Sequence, residues 1–600
     1  MVKNNVKNIN NSLYGFDNDG HLLHGWQTVN NSPYFFDDNG IAQVGWIDYN
    51  GHRYYMTNAG VMKNWFQVNG SYYYGPDDGA IRYGWINYNN GVFYTNSNGV
   101  MLTGIQSIDD KRYRFNEAGQ MWHGWYQLNG NLYNWYYSDP NSGVIQPSGP
   151  AHINGYDFNF GQDGLAIRDM SPYFDEFIQQ VQKDKTPTSF IISLITDVHF
   201  QTNSRSWENF QNGEPDTRTQ LSLDNLDNQN KLANALGIAY KISLGDAVNG
   251  TATSKANQFA DLDEFASKFM QDKDKVKVFM VPGNHDLNHQ SDDKYNNTNE
   301  GLTAQDEYNH ILKPSDQYGV NDPNTTPALD NLRQSIETEH GSRIYYDQSR
   351  KLVSFFINDF DDTRALKDGK LAVDIQSYGG VSAAQINWIV QELQHVPSDY
   401  HVMFYMHSSL PGVFENEVNL APSDGNQWGI YNGTLLRSII EAFQNGTLQK
   451  QSDGAYKDVP LHLDSKQDTA LNFALSVPNV TNSYPSEDPA FYTVKPTDVS
   501  FTGTAGRVIA VMNGHWHSDN ESTQNNVLYV ETNSAFPDTR TNHYGKRPVD
   551  SLQEGAQDFI TVDIPNHKIT FSRFGEGDGK TRFMTRAYNF GIGATNNPIN

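Results

Sequence analysis

From residue 171 onward, short apolar runs alternate with longer amphipathic segments. Ser171-Pro172 opens a stretch in which Tyr173, Phe177, Ile178 and Val181 recur at helical spacing. The run Phe190-Ile191-Ile192-Ser193-Leu194-Ile195 reads as a buried strand and ends at Thr196-Asp197-Val198-His199. A helix over 226–239 precedes a strand over 240–244 and then Gly245-Asp246. A helix over 259–270 precedes a strand over 276–281 and then Pro282-Gly283-Asn284-His285-Asp286. Later, a helix over 383–393 leads to a strand over 402–406 and His407-Ser408-Ser409. A strand over 507–512 delivers Asn513-Gly514-His515-Trp516-His517. Polar blocks thus follow apolar strands repeatedly, which predicts α/β layering with function at the carboxyl ends of the strands. Segments 287–340 and 447–500 are rich in Asn and Asp without a strong period, and are expected to be insertions over the face of the site.

The first 167 residues have a different rhythm. Gly20, Gly40, Gly60, Gly79, Gly99 and Gly119 recur, each followed by Trp26, Trp46, Trp65, Trp85, Ile105 or Trp125 at a matching point. Aromatic clusters such as Tyr34-Phe35-Phe36 and Tyr72-Tyr73-Tyr74 precede turns such as Asp37-Asp38-Asn39-Gly40. Short strands joined by Asn-Gly and Asp-Gly turns follow from this pattern. One hairpin cannot bury its aromatic face alone, so stacking into a β-hairpin solenoid is predicted, with rings left in grooves that suit sugars or quaternary ammonium groups. The expected division is residues 1–167 for this module and 168–600 for the α/β domain.

Composition narrows the chemistry. No cysteine occurs, so disulfides, thiolate metal sites and cysteine nucleophiles are excluded. A formal charge of −26 argues against a nucleic-acid polymer as partner. No apolar run is long enough for a membrane span. Met1 to Asn8 lacks the apolar core of a signal peptide, so the chain is either cytoplasmic or a mature segment from which the signal was removed, and the repeats favour the second.

Asp-x-His at 197–199, the carboxylate of Asp246, the Asn284-His285-Asp286 block, His407 and His-x-His at 515–517 together supply hard oxygen and imidazole ligands. That mixture suits Mn, Fe or Zn, and two such ions can clamp a phosphate. No His-Glu-x-x-His or Gly-x-Ser-x-Gly site offers another hydrolase. His289, His310, His340, His395, His401, His462 and His543 lack a matching block and read as surface or packing residues, and Trp516 as a wall.

In this order the blocks resemble the calcineurin-like metallophosphoesterase superfamily over roughly residues 188 to 575. The repeats resemble the cell-wall-binding modules of Gram-positive surface proteins, relatives of choline- and glucan-binding repeats. The first resemblance implies a four-layer α/β/β/α sandwich and two transition-metal ions, divalent or mixed-valence. It implies that Asp197, His199 and His517 hold one ion, that Asp246 bridges, and that Asn284, His407 and His515 hold the other. His285 would protonate the departing alkoxide, Asp286 would orient His285, and a metal-borne hydroxide would attack phosphorus in line. Purple acid phosphatases place a tyrosine where Asn249 stands, so an iron-tyrosinate centre is not expected. The second resemblance implies a secreted protein on a Gram-positive wall, bound to a polymer or glycan. Together they point to a wall-associated phosphodiesterase acting on phosphate esters. An extracellular phosphomonoesterase or nucleotidase and a catalytically silent adhesin are the alternatives.

Overall fold

The computed structural model describes residues 2–127, 135–202, 205, 217–288, 301–361, 366–367, 370–371, 378–414, 429–467, 489–535, 551–576 and 582–593. Contacts divide the chain into two units, one of residues 1–148 and 160–166, the other of 149–159 and 167–600.

In the larger unit every residue of Phe190–Ile195 is buried, because this strand lies inside a six-stranded sheet covered on both faces. The order across that sheet is Lys277–Met280, Tyr240–Ser243, Phe190–Ile195, Ala556–Asp563, Lys568–Gly575 and Thr585–Asn589. The first three strands run parallel, and the last three continue antiparallel. A second six-stranded sheet has the order Arg343–Asp347, Leu352–Phe356, His401–Tyr405, Val508–Asn513, Val527–Glu531 and Asn520–Gln524. Its four inner strands are parallel.

Side-chain alternation along the strands builds the layers. Ile192 and Leu194 join Met403, Tyr405, Ala510 and Met512 in a core between the two sheets. Ile191 packs with Phe177, Val181 and Leu232 of the outer helices Phe174–Lys183 and Thr217–Leu236, and Val278 and Met280 pack against the helix Lys255–Phe269. On the far side, Val402, Phe404 and Met406 meet the helices Ala383–His395 and Gly433–Asn445. The result is the expected α/β/β/α sandwich.

Segment 287–340 is more than a covering insertion. Its second half forms the helix Pro327–His340, with Ile336 in the core of the second sheet. Arg333 of this helix is buried, donating to both carboxylate oxygens of Glu392 at 2.6 and 2.7 Å and to Asp322 at 2.7 Å. This ion triad has no periodic signature, so the helix does not stand out in the sequence of the segment. Segment 447–500 likewise contributes Leu463, Val494 and Val499 to the core. Residues 289–300 and 468–488, with the expectations placed on them and on His289 and His543, lie outside the described residues.

The smaller unit is a run of β-hairpins. Trp26 faces Phe35, Trp46 faces Tyr55, Trp65 faces Tyr74 and Trp85 faces Tyr94 across successive antiparallel pairs. The tight turns that close the hairpins are Asn30-Asn31, Asn50-Gly51, Asn69-Gly70, Asn89-Asn90 and Asp109-Asp110, all with positive φ, as two-residue turns matching strand twist require. Turns such as Asp37 to Gly40 fold the chain back onto the same hairpin, pairing Phe36 with Ala42 and Thr57 with Gly60, and the residues after them link one hairpin to the next. Single backbone bonds tie these links to earlier hairpins, for example Ala42 N–H to the Leu13 carbonyl and Met121 N–H to the Val92 carbonyl.

Candidate metal centre

Strand ends from both sheets deliver the polar blocks to one place. Asp197 and His199 follow Phe190–Ile195, Asp246 follows Tyr240–Ser243, and Asn284 and His285 follow Lys277–Met280. His407 follows His401–Tyr405, and His515 and His517 follow Val508–Asn513. Asp197, His199, Asp246, His515 and His517 all have left-handed backbones, with φ between 47° and 75°. Non-glycine residues rarely hold that conformation, and such strain concentrates where function demands an orientation. Asp197 and His199 therefore turn inward from a loop rather than sharing a strand face.

The donors converge. Asp246 Oδ2 lies 3.2 Å from His407 Nε2 and 3.9 Å from both His199 Nε2 and His285 Nε2. Asp197 Oδ1 lies 3.3 Å from His517 Nε2 and 3.9 Å from His407 Nε2. His199 Nε2 faces His517 Nε2 at 3.1 Å, His407 Nε2 faces Asn284 Oδ1 at 3.1 Å, and His515 Nδ1 faces His407 Nε2 at 3.2 Å. Three groups could each hold an ion: Asp197 with His199 and His517, Asp246 with His407 and His515, and His199 with Asp246 and His285. Facing imidazole nitrogens are lone pairs or protons in need of a common partner. Asp197 Oδ1, buried, makes no hydrogen bond among the described residues. On both counts the residues fit a pair of cations.

Electrostatics agrees. Burial opposes ionisation of Asp197, but the imidazoles of His517 and His407 outweigh it and hold the carboxyl well below the usual range. Burial likewise opposes Asp246, and His407 and His285 overcome it. Burial disfavours a charged His407, yet Asp246 and Asp197 push it up to about 10, whereas burial and the neighbouring His407 depress His515 to about 3. One imidazolium thus carries the positive charge that the carboxylates demand, and a metal ion would take over that role.

Backbone contacts aim the rings. His407 Nδ1 donates to the Leu244 carbonyl at 2.8 Å, which leaves Nε2 pointing into the centre. His285 Nδ1 donates to the Asn249 carbonyl at 2.8 Å, and the His285 amide donates to Asp246 Oδ1 at 2.8 Å. The expected orientation of His285 by Asp286 is not what is found. Asp286 accepts the amides of Val248 at 3.0 Å and Gly283 at 2.9 Å, knotting the two loops together. The family resemblance implied a side-chain contact, but the tight turn at His285–Leu287 sends the carboxylate back to the backbone. Burial, then Asp246, raises its pKa to about 7.

Sequence reasoning missed Asp359. It follows the strand Leu352–Phe356 and accepts the amides of His407 at 3.1 Å and Ser408 at 2.7 Å, fixing the loop that carries His407. Its own signal, Asn358-Asp359 after an apolar run, has the same form as the other blocks. Among the other described histidines, His310 stacks on Phe259, His340, His395 and His462 pair with Asp361, Asp322 and Asp498, and His401 lies against His567 and Phe590. No helix among the described residues is long and apolar enough to cross a membrane.

The family model for calcineurin-like phosphoesterases matches residues 191–411, a span that stops before His515 and His517. Models for a choline-binding repeat and a cell wall binding repeat match residues 23–66 and 84–101. No curated protein matches the chain. Among solved structures, CbpJ from Streptococcus pneumoniae TIGR4 is similar at 26% identity, over 26% of this chain and 56% of that one, with a TM-score of 0.24. Choline binding protein F from Streptococcus pneumoniae is similar at 26% identity, over 27% and 56%, with a TM-score of 0.25. The modular autolysin LytC from Streptococcus pneumoniae is similar at 15% identity, over 47% and 62%, with a TM-score of 0.20. The match thus spans between about half and two thirds of the length of each of these structures.

Proposed function

We propose, for a chain in which a calcineurin-like metallophosphoesterase domain follows choline-binding-type repeats, that it is a secreted, wall-associated phosphodiesterase working with two transition-metal ions. The observation that carries this reading is the convergence of His199, His285 and His407 on one buried carboxylate, Asp246. In this reading Asp197, His199 and His517 would hold one ion and Asn284, His407 and His515 the other, with the Asp246 carboxylate available to both. When bound, the ions neutralise charge on the phosphoryl oxygens and activate a water.

The chain's own residues supply the rest. His285 keeps its Nδ1 proton on the Asn249 carbonyl, so only Nε2 can exchange a proton with substrate. In the imidazolium form Nε2 donates its proton to the departing oxygen and the ring ends neutral, with Nδ1–H retained. The Asp286 knot keeps the loop bearing Asn284 and His285 against the loop bearing Asp246. Phosphodiester-containing wall polymers are the substrate class that the repeats would concentrate around the site.

The test compares catalytic efficiency on a matched alkyl phosphodiester and alkyl phosphomonoester, whose alkoxide leaving groups need a proton, after loading with Mn or Zn, in the wild type and His285→Ala. Diester preference with a loss of about 10²- to 10⁴-fold in the variant at unchanged metal content supports the reading. Monoester preference would make the protein a phosphatase or nucleotidase, and no metal-dependent turnover of either would leave an adhesin.

A further inference from the structure

Two aromatic clusters in the repeat unit have nearly the same geometry. Trp46 makes T-shaped contacts with Tyr55 and Tyr73, with centroids at 4.9 and 4.7 Å and planes at 69° and 66°. Two hairpins further on, Trp85 has Tyr94 and Tyr113 against it, at 4.9 and 4.8 Å and at 77° and 72°. Each is an indole held in T-shaped contact with two tyrosines.

They differ in what lies over the indole. In the hairpin Gly45–Tyr49/His52–Thr57, Arg53 stands two residues before Tyr55 and shares its face. Its guanidinium carbon sits 4.4 Å above the centre of Trp46, inside the range of a cation–π contact. Asp48, directly opposite in the register, lies 3.9 Å from Arg53 Nε and steadies the charge. In the hairpin Gly84–Tyr88/Gly91–Thr95 the same two places are held by Asn87 and Val92. Val92 packs into the small core around Ile108 and Phe115, and among the described residues no cation lies over Trp85, which is 42% exposed.

We propose that Arg53 is a built-in occupant of the Trp46 cluster: its guanidinium takes the seat that the Trp85 cluster leaves open to an organic cation of the quaternary ammonium class. A tethered cation competes at a high effective concentration that a free ligand must exceed, so Arg53 closes its cluster to such ligands. The residue two places before the tyrosine, Arg53 or Val92, then sets whether each of these two matching clusters takes a free cation. The inference rests on the reading of the repeats as the polymer-binding module.

Choline chloride is the probe, and the number of sites per full-length chain is counted by titration calorimetry. Arg53→Val gains one site over the wild type, and Val92→Arg loses one. Arg53→Gln, which keeps a polar side chain without the charge, gives the same gain should Arg53→Val fold poorly, and thermal melts of all variants check folding. Choline binding by the wild type with no added site in either Arg53 variant overturns the inference and leaves the anchor reading in place. No binding by the wild type or by either Arg53 variant overturns both.

Discussion

Gly514 lies between the strand Val508–Asn513 and the two centre-facing histidines, and its close neighbours allow a defined perturbation. A Cβ added there would stand 2.7 Å from Asp197 Oδ2 and closer still to Thr196 Oγ1. Ordinary contact begins at 3.4 Å, so Gly514→Ala forces a shift of about 0.7 Å at Asp197 and a larger one at Thr196, shared with the 514–517 loop. None can move freely. Asp197 Oδ2 accepts from Thr196 Oγ1 at 2.6 Å and from the His515 amide at 2.9 Å, and the Gly514 amide donates to the His407 carbonyl at 2.8 Å. Overpacking a buried site of this kind costs about 1 to 3 kcal/mol of stability. A displacement approaching 1 Å in a catalytic constellation costs on the order of 10²-fold in rate. Gly514→Ala is therefore expected to fold, melt a few degrees lower, and lose about 10- to 100-fold in kcat/KM together with part of its bound metal. Metal content by plasma mass spectrometry, a thermal melt and diester hydrolysis measure all three. Wild-type metal content and turnover within about 3-fold of wild type would refute the claim that Asp197 and the 515–517 turn form one packed metal-binding unit.

Three further outcomes are expected. Glu392→Gln removes one of the two buried carboxylates that pair with Arg333, leaving Asp322, and should destabilise the larger unit by about 1.5 to 3 kcal/mol, read by denaturant unfolding. Burial, with His567 and Arg507, depresses His401 to about 4, so the folded state binds fewer protons than the unfolded one between about pH 4 and 6.5. Stability contributed by neutral His401 is lost as pH falls through that window, and His401→Phe should lose about 3 kcal/mol less than the wild type on the same acidification. Chelation should abolish hydrolysis and lower the melting temperature, with both restored by adding back Mn or Zn, because ligands that bind only the folded state stabilise it by mass action.

The strands and the blocks behind them were legible because each block sits directly after an apolar run, so short-range pattern alone places Asp197, Asp246, Asn284, His407 and His515 at neighbouring strand ends. The run Phe190–Ile195 was read to the residue, since burial on both faces leaves an unbroken apolar signature. What escaped depends on contacts far apart in sequence. Asp359 acts on backbone amides of His407 and Ser408, and the aim of His285 comes from the Asn249 carbonyl, which no side-chain pattern reports. The helix Pro327–His340 is amphipathic, but the polar residues that obscure it include Arg333, which is buried through its pairing with Glu392 and Asp322. In the repeats the Trp period was plain, whereas the difference between Arg53 and Val92 matters only once the rings are stacked.

The most direct test of the account counts bound transition-metal ions per chain and measures diester turnover in the same samples, for the wild type and for Asp246→Asn. The account predicts about two ions per wild-type chain, hydrolysis that tracks their occupancy, and loss of both pairing and turnover in Asp246→Asn. Fewer than one ion per wild-type chain under saturating metal, or hydrolysis that persists without any, would contradict it.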